Sequence, residues 1–461
     1  MTELTVQDVV DACKGRLVGG DAGTAVLGVS TDSRALRRGE AFFALPGERF
    51  DGHDFVADAA AKGAAAVVGA RDVREQLPNG VALVLVEDTI RALGRLAAAH
   101  RQRHDIPILA VTGSTGKTTT KEMLHHILRR AFPPVLASEG TANNEIGVPL
   151  TLLRLKPEHQ AAALELAMRA RGEIAYLTEI ARPTVGVVTN VGSSHVGRLG
   201  SRAEIAAAKA ELVAGLDPDG TAVLNADDEM VARMRDAAPG RVLTFGMDND
   251  ADVTGRELRS HGWAGTTFVL HTPEGTREVS LRVAGRHNVY NALAAAAAAV
   301  AIAAPLQEIV SALEQFDGLP GRGRLIRSRD GFTVIDDTYN ASPASVRAAL
   351  AVMQESRRTA RAIVALGDML ELGDSAAEAH RGVGEDMVAH GVDLVFAVGE
   401  HANDVVEGVA AAGGATQACS FADKASLLAR LRAELRAGDM VLVKGSRAMG
   451  MEEIVRGLVG D

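Results

Sequence analysis

Short apolar runs rich in β-branched residues recur along the chain, and each is followed by an alanine-rich stretch with helical spacing. That alternation predicts an α/β architecture. Three blocks separate. Residues 1–105 hold TDSRALRRGEAFFAL and GAAAVVG and form a small N-terminal α/β domain. This block ends in the polar helix RALGRLAAAHRQRHDIP, whose closing Pro107 marks a boundary. Residues 106–320 open on the strand PILAVTG and continue through AALELA, VGVVTNV and GTAVLNADD, each with a helical pattern behind it. They close on an alanine-rich helix, read as helical filler because alanine costs least in a helix, and on the hinge FDGLPGRGR. Residues 321–461 contain four apolar strands, FTVIDDTYN, RAIVALGDM, LVFAVGE and MVLVKGS, which read as a parallel, doubly wound, Rossmann-like sheet.

The length of 461 residues fits three such cores. A net charge of -10 removes the basic stripe that nucleic-acid binding needs. Cys13 and Cys419 stand in no metal-ligand or CxxC spacing, so neither a disulfide framework nor a zinc site is expected. The N-terminus lacks the features of a signal peptide, and the longest apolar run, 292–305, is too short to span a bilayer. A cytoplasmic protein, and a monomer, is the expectation.

The stretch AVTGSTGKTTT, residues 110–120, carries the chemistry. A standard phosphate loop would place a glycine where Val111 stands, so this loop is of a shorter kind. Its context is strand, glycine turn, helix start. Gly113 and Gly116 let backbone N–H groups converge on one oxygen cluster, Lys117 reaches the β and γ phosphates, and Thr118 can ligate Mg2+. The residues Gly113, Ser114, Thr115, Gly116, Lys117, Thr118 and Thr119 are therefore expected to form an ATP site within a central P-loop ATPase-type sheet. Glu165 ends one apolar strand and His195 follows another, at the edge where α/β proteins hold their ligands.

The short loop resembles that of the Mur ligases and folylpolyglutamate synthetases, three-domain amide-forming ATPases. TANNEIGVP, AKAEL, GRHNVYNALAA, LPGRGRLI, DDTYNASPASV, LGDMLELG and VLVKGSRAMGMEEIV extend the likeness to the Mur ligase family over nearly the whole chain. DDTYNASP and LGDMLELG separate it from the folylpolyglutamate synthetases. The resemblance implies a cytoplasmic ligase of peptidoglycan precursor synthesis that adds D-alanyl-D-alanine to UDP-N-acetylmuramoyl-tripeptide, using ATP and Mg2+ through an acyl phosphate. It implies that Thr118 and Glu165 hold one Mg2+, that His195 helps hold a second, and that Lys209, otherwise a surface helix lysine, is carbamylated to support it. Asn288 and Asn291, which could simply cap the alanine-rich helix, lie near the adenine on this reading. Arg322 supplies a cation to the phosphates from beyond the hinge, with Asp337 and Asn340 contacting the nucleotide.

The family pattern further places the uridine diphosphate against Thr31, Ser33 and Arg34 of TDSR, and against Asp51, Gly52 and His53 of GERFDGHDF. Asn143 and Asn144 lie along the sugar-peptide and near the reacting phosphate. One stretch departs from the pattern. Where the family has glycine and an Asn-rich turn after LEL, this chain reads AMRARGEI, with Ala167, Arg169 and Arg171. The third residue of the stem peptide, diaminopimelate or lysine, is not legible. A noncatalytic, GTPase-like switch is the reading of a different class, and no guanine-reading N-K-x-D element supports it.

Overall fold

The apolar runs pair into three principal sheets, one for each block of the chain. The computed structural model describes residues 4–47, 50–192, 200–357 and 360–460. In the N-terminal sheet, Gly28–Ser30, Glu40–Phe43, Ala66–Gly69 and Ala82–Leu85 run parallel, and Arg16–Gly19 adds antiparallel at one edge. Successive side chains of a strand point to opposite faces. Phe42 accordingly packs with Val56, Val67 and Leu83, and its neighbour Phe43 belongs to the other core, with Val68 and Val84.

The central sheet has nine strands. Seven run parallel, in the spatial order Val253–Ser260, Arg241–Gly246, Thr221–Asn225, Val185–Val188, Ile108–Thr112, Ala161–Glu165 and Val135–Ala137. Thr266–Thr272 and Gly275–Leu281 extend it antiparallel, so the sheet is mixed rather than purely parallel. The reason is local: the connections 261–265 and 273–274 are too short for the crossover that parallel strands need. The helix Arg286–Ala301 is more than filler. Every residue from Ala292 to Ala299 is fully buried, and the small side chains let the helix lie close against Met123, Leu124, Ile127 and Leu128 of the helix Lys117–Ala131.

The C-terminal sheet has six strands where four apolar runs were legible. The two additional ones, Arg324–Arg327 and Gln417–Phe421, are edge strands with mostly exposed side chains, and so carry no apolar run. Arg324–Arg327 pairs antiparallel with Thr333–Asp337, and the remaining pairings are parallel. Among the described residues no helix is long and apolar enough to cross a membrane.

Candidate active site

Val111 lies inside a buried strand, paired with Glu165 on one side and Val187 on the other, so the phosphate loop begins only at Gly113. Gly113 has φ 153° and Gly116 has φ 79°. A Cβ on Gly113 would fall 1.8 Å from Thr189 Oγ1, and one on Gly116 2.3 Å from Asn291 Oδ1. Both positions therefore require glycine. The loop is braced from the neighbouring strand end: the Thr115 N–H donates to Asn190 Oδ1 at 3.0 Å, and Thr189 Oγ1 donates to the Thr115 carbonyl at 2.7 Å. The helix Lys117–Ala131 has no side-chain cap, which leaves its N-terminal N–H groups available to an anion. Lys117 Nζ donates to the Gly113 carbonyl at 2.9 Å. Burial of the ammonium lowers its pKa, with Glu165 acting in the opposite direction.

Glu165 ends the strand beside the loop and is 2% exposed. Its Oε1 accepts from Asn143 Nδ2 at 2.8 Å, whereas Oε2 is buried with no hydrogen-bond partner among the described residues. A buried carboxylate oxygen left bare is costly unless a cation meets it. Asn143 thus orients Glu165 directly, a role beyond that expected from the motif. Asn144 Oδ1 accepts from the Gly147 N–H at 2.9 Å and so holds the start of the helix Gly147–Leu152. Both asparagines line the cleft.

Lys209 is not a surface lysine. It is 2% exposed on the helix Arg202–Ala214, and burial, reinforced by Lys117, drives its pKa far below the ordinary lysine value. The shift is toward the neutral amine, the state that can react with CO2. His195 lies outside the described residues.

The C-terminal domain supplies the opposite wall. Arg322 Nη2 donates to Thr118 Oγ1 at 3.0 Å, and its guanidinium stacks 4.0 Å over the Tyr339 ring. Asp337 is paired with Lys444 at 2.5 Å, and Lys444 also donates to the Asn340 carbonyl at 2.9 Å. Lys444 ends an apolar strand within VLVKGSRAMGMEEIV, and only the tertiary register that sets it opposite Asp337 singles it out. Asn288 and Asn291 do not cap their helix, whose N-cap is Gly285. Asn291 instead accepts from Thr120 Oγ1 at 3.3 Å and donates to Asn288 Oδ1 at 3.1 Å, tying the alanine-rich helix to the loop helix.

Residues 114–119, Asn143, Asn144, Glu165, Asn288, Asn291, Arg322, Asp337, Asn340 and Lys444 line one cleft of 1190 Å³ between the central and C-terminal domains, whereas Lys209 is not among its lining residues. Thr31, Ser33, Arg34, Asp51, Gly52 and His53 do not line it. They sit on the N-terminal domain, where local bonds engage several of them. Arg34 pairs with Asp32 at 2.8 Å, and the Ser33 carbonyl accepts from Lys62 Nζ at 2.8 Å. Asp51 caps the turn Gly52–Phe55 and contacts the buried His53 at 2.6 Å. In the AMRARGEI segment, Arg169 is anchored to Glu145 at 2.8 Å and Arg171 to Glu204 at 3.2 Å, which settles both cations on neighbouring carboxylates.

Three family models match along the chain: the Mur ligase family catalytic domain over residues 25–101, the Mur ligase middle domain over 111–299, and the Mur ligase glutamate ligase domain over 321–447. The UDP-N-acetylmuramoyl-tripeptide--D-alanyl-D-alanine ligase of Escherichia coli K12 is 38% identical, with 99% of each chain covered. The enzyme of that name from Bacillus subtilis 168 is 36% identical over 100% of this chain and 99% of its own. A crystal structure of MurF from Acinetobacter baumannii superposes with a TM-score of 0.92 at 37% identity, covering 100% of both chains. That of MurF from Thermotoga maritima in complex with ADP gives 0.82 at 28% identity, covering 94% of this chain and 96% of the other. With such likeness running from end to end, and with the loop, the buried carboxylate and the hinge arginine gathered on one cleft, the chain belongs to the Mur ligase family, in its MurF branch.

Proposed function

We propose that this ATP-dependent ligase joins the terminal carboxylate of UDP-N-acetylmuramoyl-tripeptide to the amine of D-alanyl-D-alanine, in the cytoplasm where both nucleotides are available. The observation that carries the reading is the meeting of Thr118, Glu165 and Arg322, from two domains, on one cleft beside an uncapped helix N-terminus. Loop N–H groups and Lys117 hold the β and γ phosphates, and Arg322 balances the charge on the transferred phosphoryl. A carboxylate oxygen of the tripeptide attacks the γ phosphorus and ADP leaves. The dipeptide amine then attacks the acyl carbon, phosphate departs, and the amine gives up a proton.

The donor set fits Mg2+: the bare Glu165 Oε2 and the Thr118 hydroxyl are hard oxygen ligands. His195 joins them on the family pattern. A bound Mg2+ would supply charge neutralisation at the phosphates. The carbamate proposed for Lys209 would add a second anionic support. Both walls of the cleft come from one chain, which supports action as a monomer. Uridine diphosphate binding by Thr31, Ser33, Arg34 and the Asp51 turn, and adenine or ribose binding by Asn288, Asn291, Asp337 and Asn340, complete the proposal.

Folylpolyglutamate synthase of Mycobacterium tuberculosis shares the fold, with a TM-score of 0.64 at 17% identity. Substrate dependence separates the two activities. ADP should be released only when the UDP-tripeptide is present, and oxygen-18 in its terminal carboxylate should appear in the released phosphate. Label absent from phosphate would exclude the acyl phosphate, and ADP release triggered by folate would exclude the ligase reading. Parallel assays with the diaminopimelate and lysine UDP-tripeptides identify the third residue.

A further inference from the structure

The hairpin between Val253–Ser260 and Thr266–Thr272 carries the chain's single tryptophan at its tip, and the tip leaves its own domain. The backbone N–H of Trp263 donates to Ser356 Oγ at 3.0 Å, and Ser260 Oγ donates to Glu355 Oε2 at 2.6 Å, both at the end of the C-terminal domain's helix Pro343–Ser356. The approach is close enough to need glycine: Gly262 has φ 60°, and a Cβ there would fall 2.5 Å from Ser356 Oγ. The indole packs against the C-terminal core that contains Ile335, Leu350 and Met353 rather than against its own sheet. Its other neighbour is the hinge. A Cβ on Gly323 would lie 3.2 Å from Trp263 Cζ3, so the ring rests on hinge backbone that only a glycine leaves open.

Gly323 directly follows Arg322, whose guanidinium crosses to Thr118. From the other side the hinge is held by the Gly323 N–H donating to the Asp336 carbonyl at 2.8 Å and the Tyr339 N–H to the Gly321 carbonyl at 3.0 Å. Backbone bonds from one domain and an aromatic ring from the other therefore bracket the residue that spans the cleft. We propose that Trp263 is a positioning residue for the ligation: the hairpin tip clamps the hinge so that Arg322 is aimed at the phosphoryl site. The inference rests on the reading of Arg322 as the cation that meets the transferred phosphoryl.

The test is a double-mutant cycle on the full-length enzyme, with Trp263→Ala, Arg322→Ala and the pair, supplemented by Trp263→Phe. Trp263→Ala should lower kcat about 10- to 100-fold while the KM for UDP-tripeptide stays within about 3-fold, because an aiming error acts on the transition state. Trp263→Phe, which keeps a ring on the glycine, should recover to within about 3-fold of wild type, and in the Arg322→Ala background Trp263→Ala should add less than about 2-fold. Losses that multiply in the double variant, or a Trp263→Ala enzyme turning over at the wild-type rate, would overturn the proposal. Should the alanine variant not fold, the same cycle with Trp263→Leu decides by the same criteria. An Arg322→Ala enzyme with normal turnover would instead overturn the underlying reading of Arg322.

Discussion

Arg322 Nη2 and Thr118 Oγ1 are 3.0 Å apart, which joins the hinge of the C-terminal domain to the first turn of the phosphate-loop helix. A guanidinium and a divalent cation repel one another at that oxygen, so a metal ligated by Thr118 requires Arg322 to turn onto a phosphate. Arg322→Ala should therefore reduce turnover about 10²- to 10³-fold, the range for losing one preorganised charge donor. Binding of UDP-tripeptide, measured by calorimetry, should be nearly unchanged.

Loading the cleft should also change its shape. With nucleotide and UDP-tripeptide between them, the two walls should close on the ligands, and closure would keep water from the proposed acyl phosphate. Small-angle scattering should report a smaller radius of gyration with both ligands than with neither. An unchanged radius would argue against closure.

Glu165 keeps one oxygen on Asn143 and one bare, so the two residues should differ in their metal dependence. Glu165→Gln should lose most activity at every Mg2+ concentration. Asn143→Ala leaves the carboxylate in place but free to turn, and should shift the Mg2+ requirement upward with partial recovery at high metal. Initial rates against Mg2+ distinguish these outcomes.

Lys209 is buried, and burial together with Lys117 lowers its pKa toward the unprotonated amine that carbamylation needs. Lys209→Ala should be nearly inactive, and a short carboxylic acid such as formate should restore part of the rate. Carbon-13 bicarbonate should give a carbamate resonance in the wild type that the variant lacks. Full activity of Lys209→Ala would remove the lysine from the mechanism.

His100 Nε2 lies 3.0 Å from the Leu155 carbonyl while its Nδ1 is buried without a partner, and the ring of His104 stands 4.8 Å away with its Nε2 likewise bare. Burial lowers both pKa values from the ordinary 6.5; at His100 the bond to Leu155 opposes it, and at His104 Arg101 and His159 add to it. A lowered folded pKa means the unfolded chain binds these protons first as the solution is acidified. Their contribution to stability is thus whole above about pH 6.5 and is lost as pH falls through that value toward the folded pKa. Thermal melts should show a steeper drop between about pH 7.5 and 5.5 for the wild type than for His100→Gln, which keeps a donor for Leu155 but does not titrate.

The features that short stretches of sequence determined are those set by neighbours along the chain. The strand, turn and helix around Gly113, Gly116 and Lys117 were legible because strand burial, glycine φ and helix initiation are local, and so was the glycine turn at Gly321, whose φ is 72°. Four strands of the central sheet and four of the C-terminal sheet showed as apolar runs, whereas the largely buried Arg241–Gly246 and Thr266–Thr272 were not read, nor were the edge strands Arg324–Arg327 and Gln417–Phe421, since a strand that faces water needs no apolar side chains. Tertiary structure alone decided the rest. Lys209 looked like any lysine on an alanine-rich helix until packing buried it, and the bond from Asn143 to Glu165 exists only because the fold brings two segments 22 residues apart together. Lys444 meets Asp337 across 107 residues, and Arg322 meets Thr118 across 204. Burial and charge pairing depend on which distant elements pack together, and periodicity within one element carries no record of that.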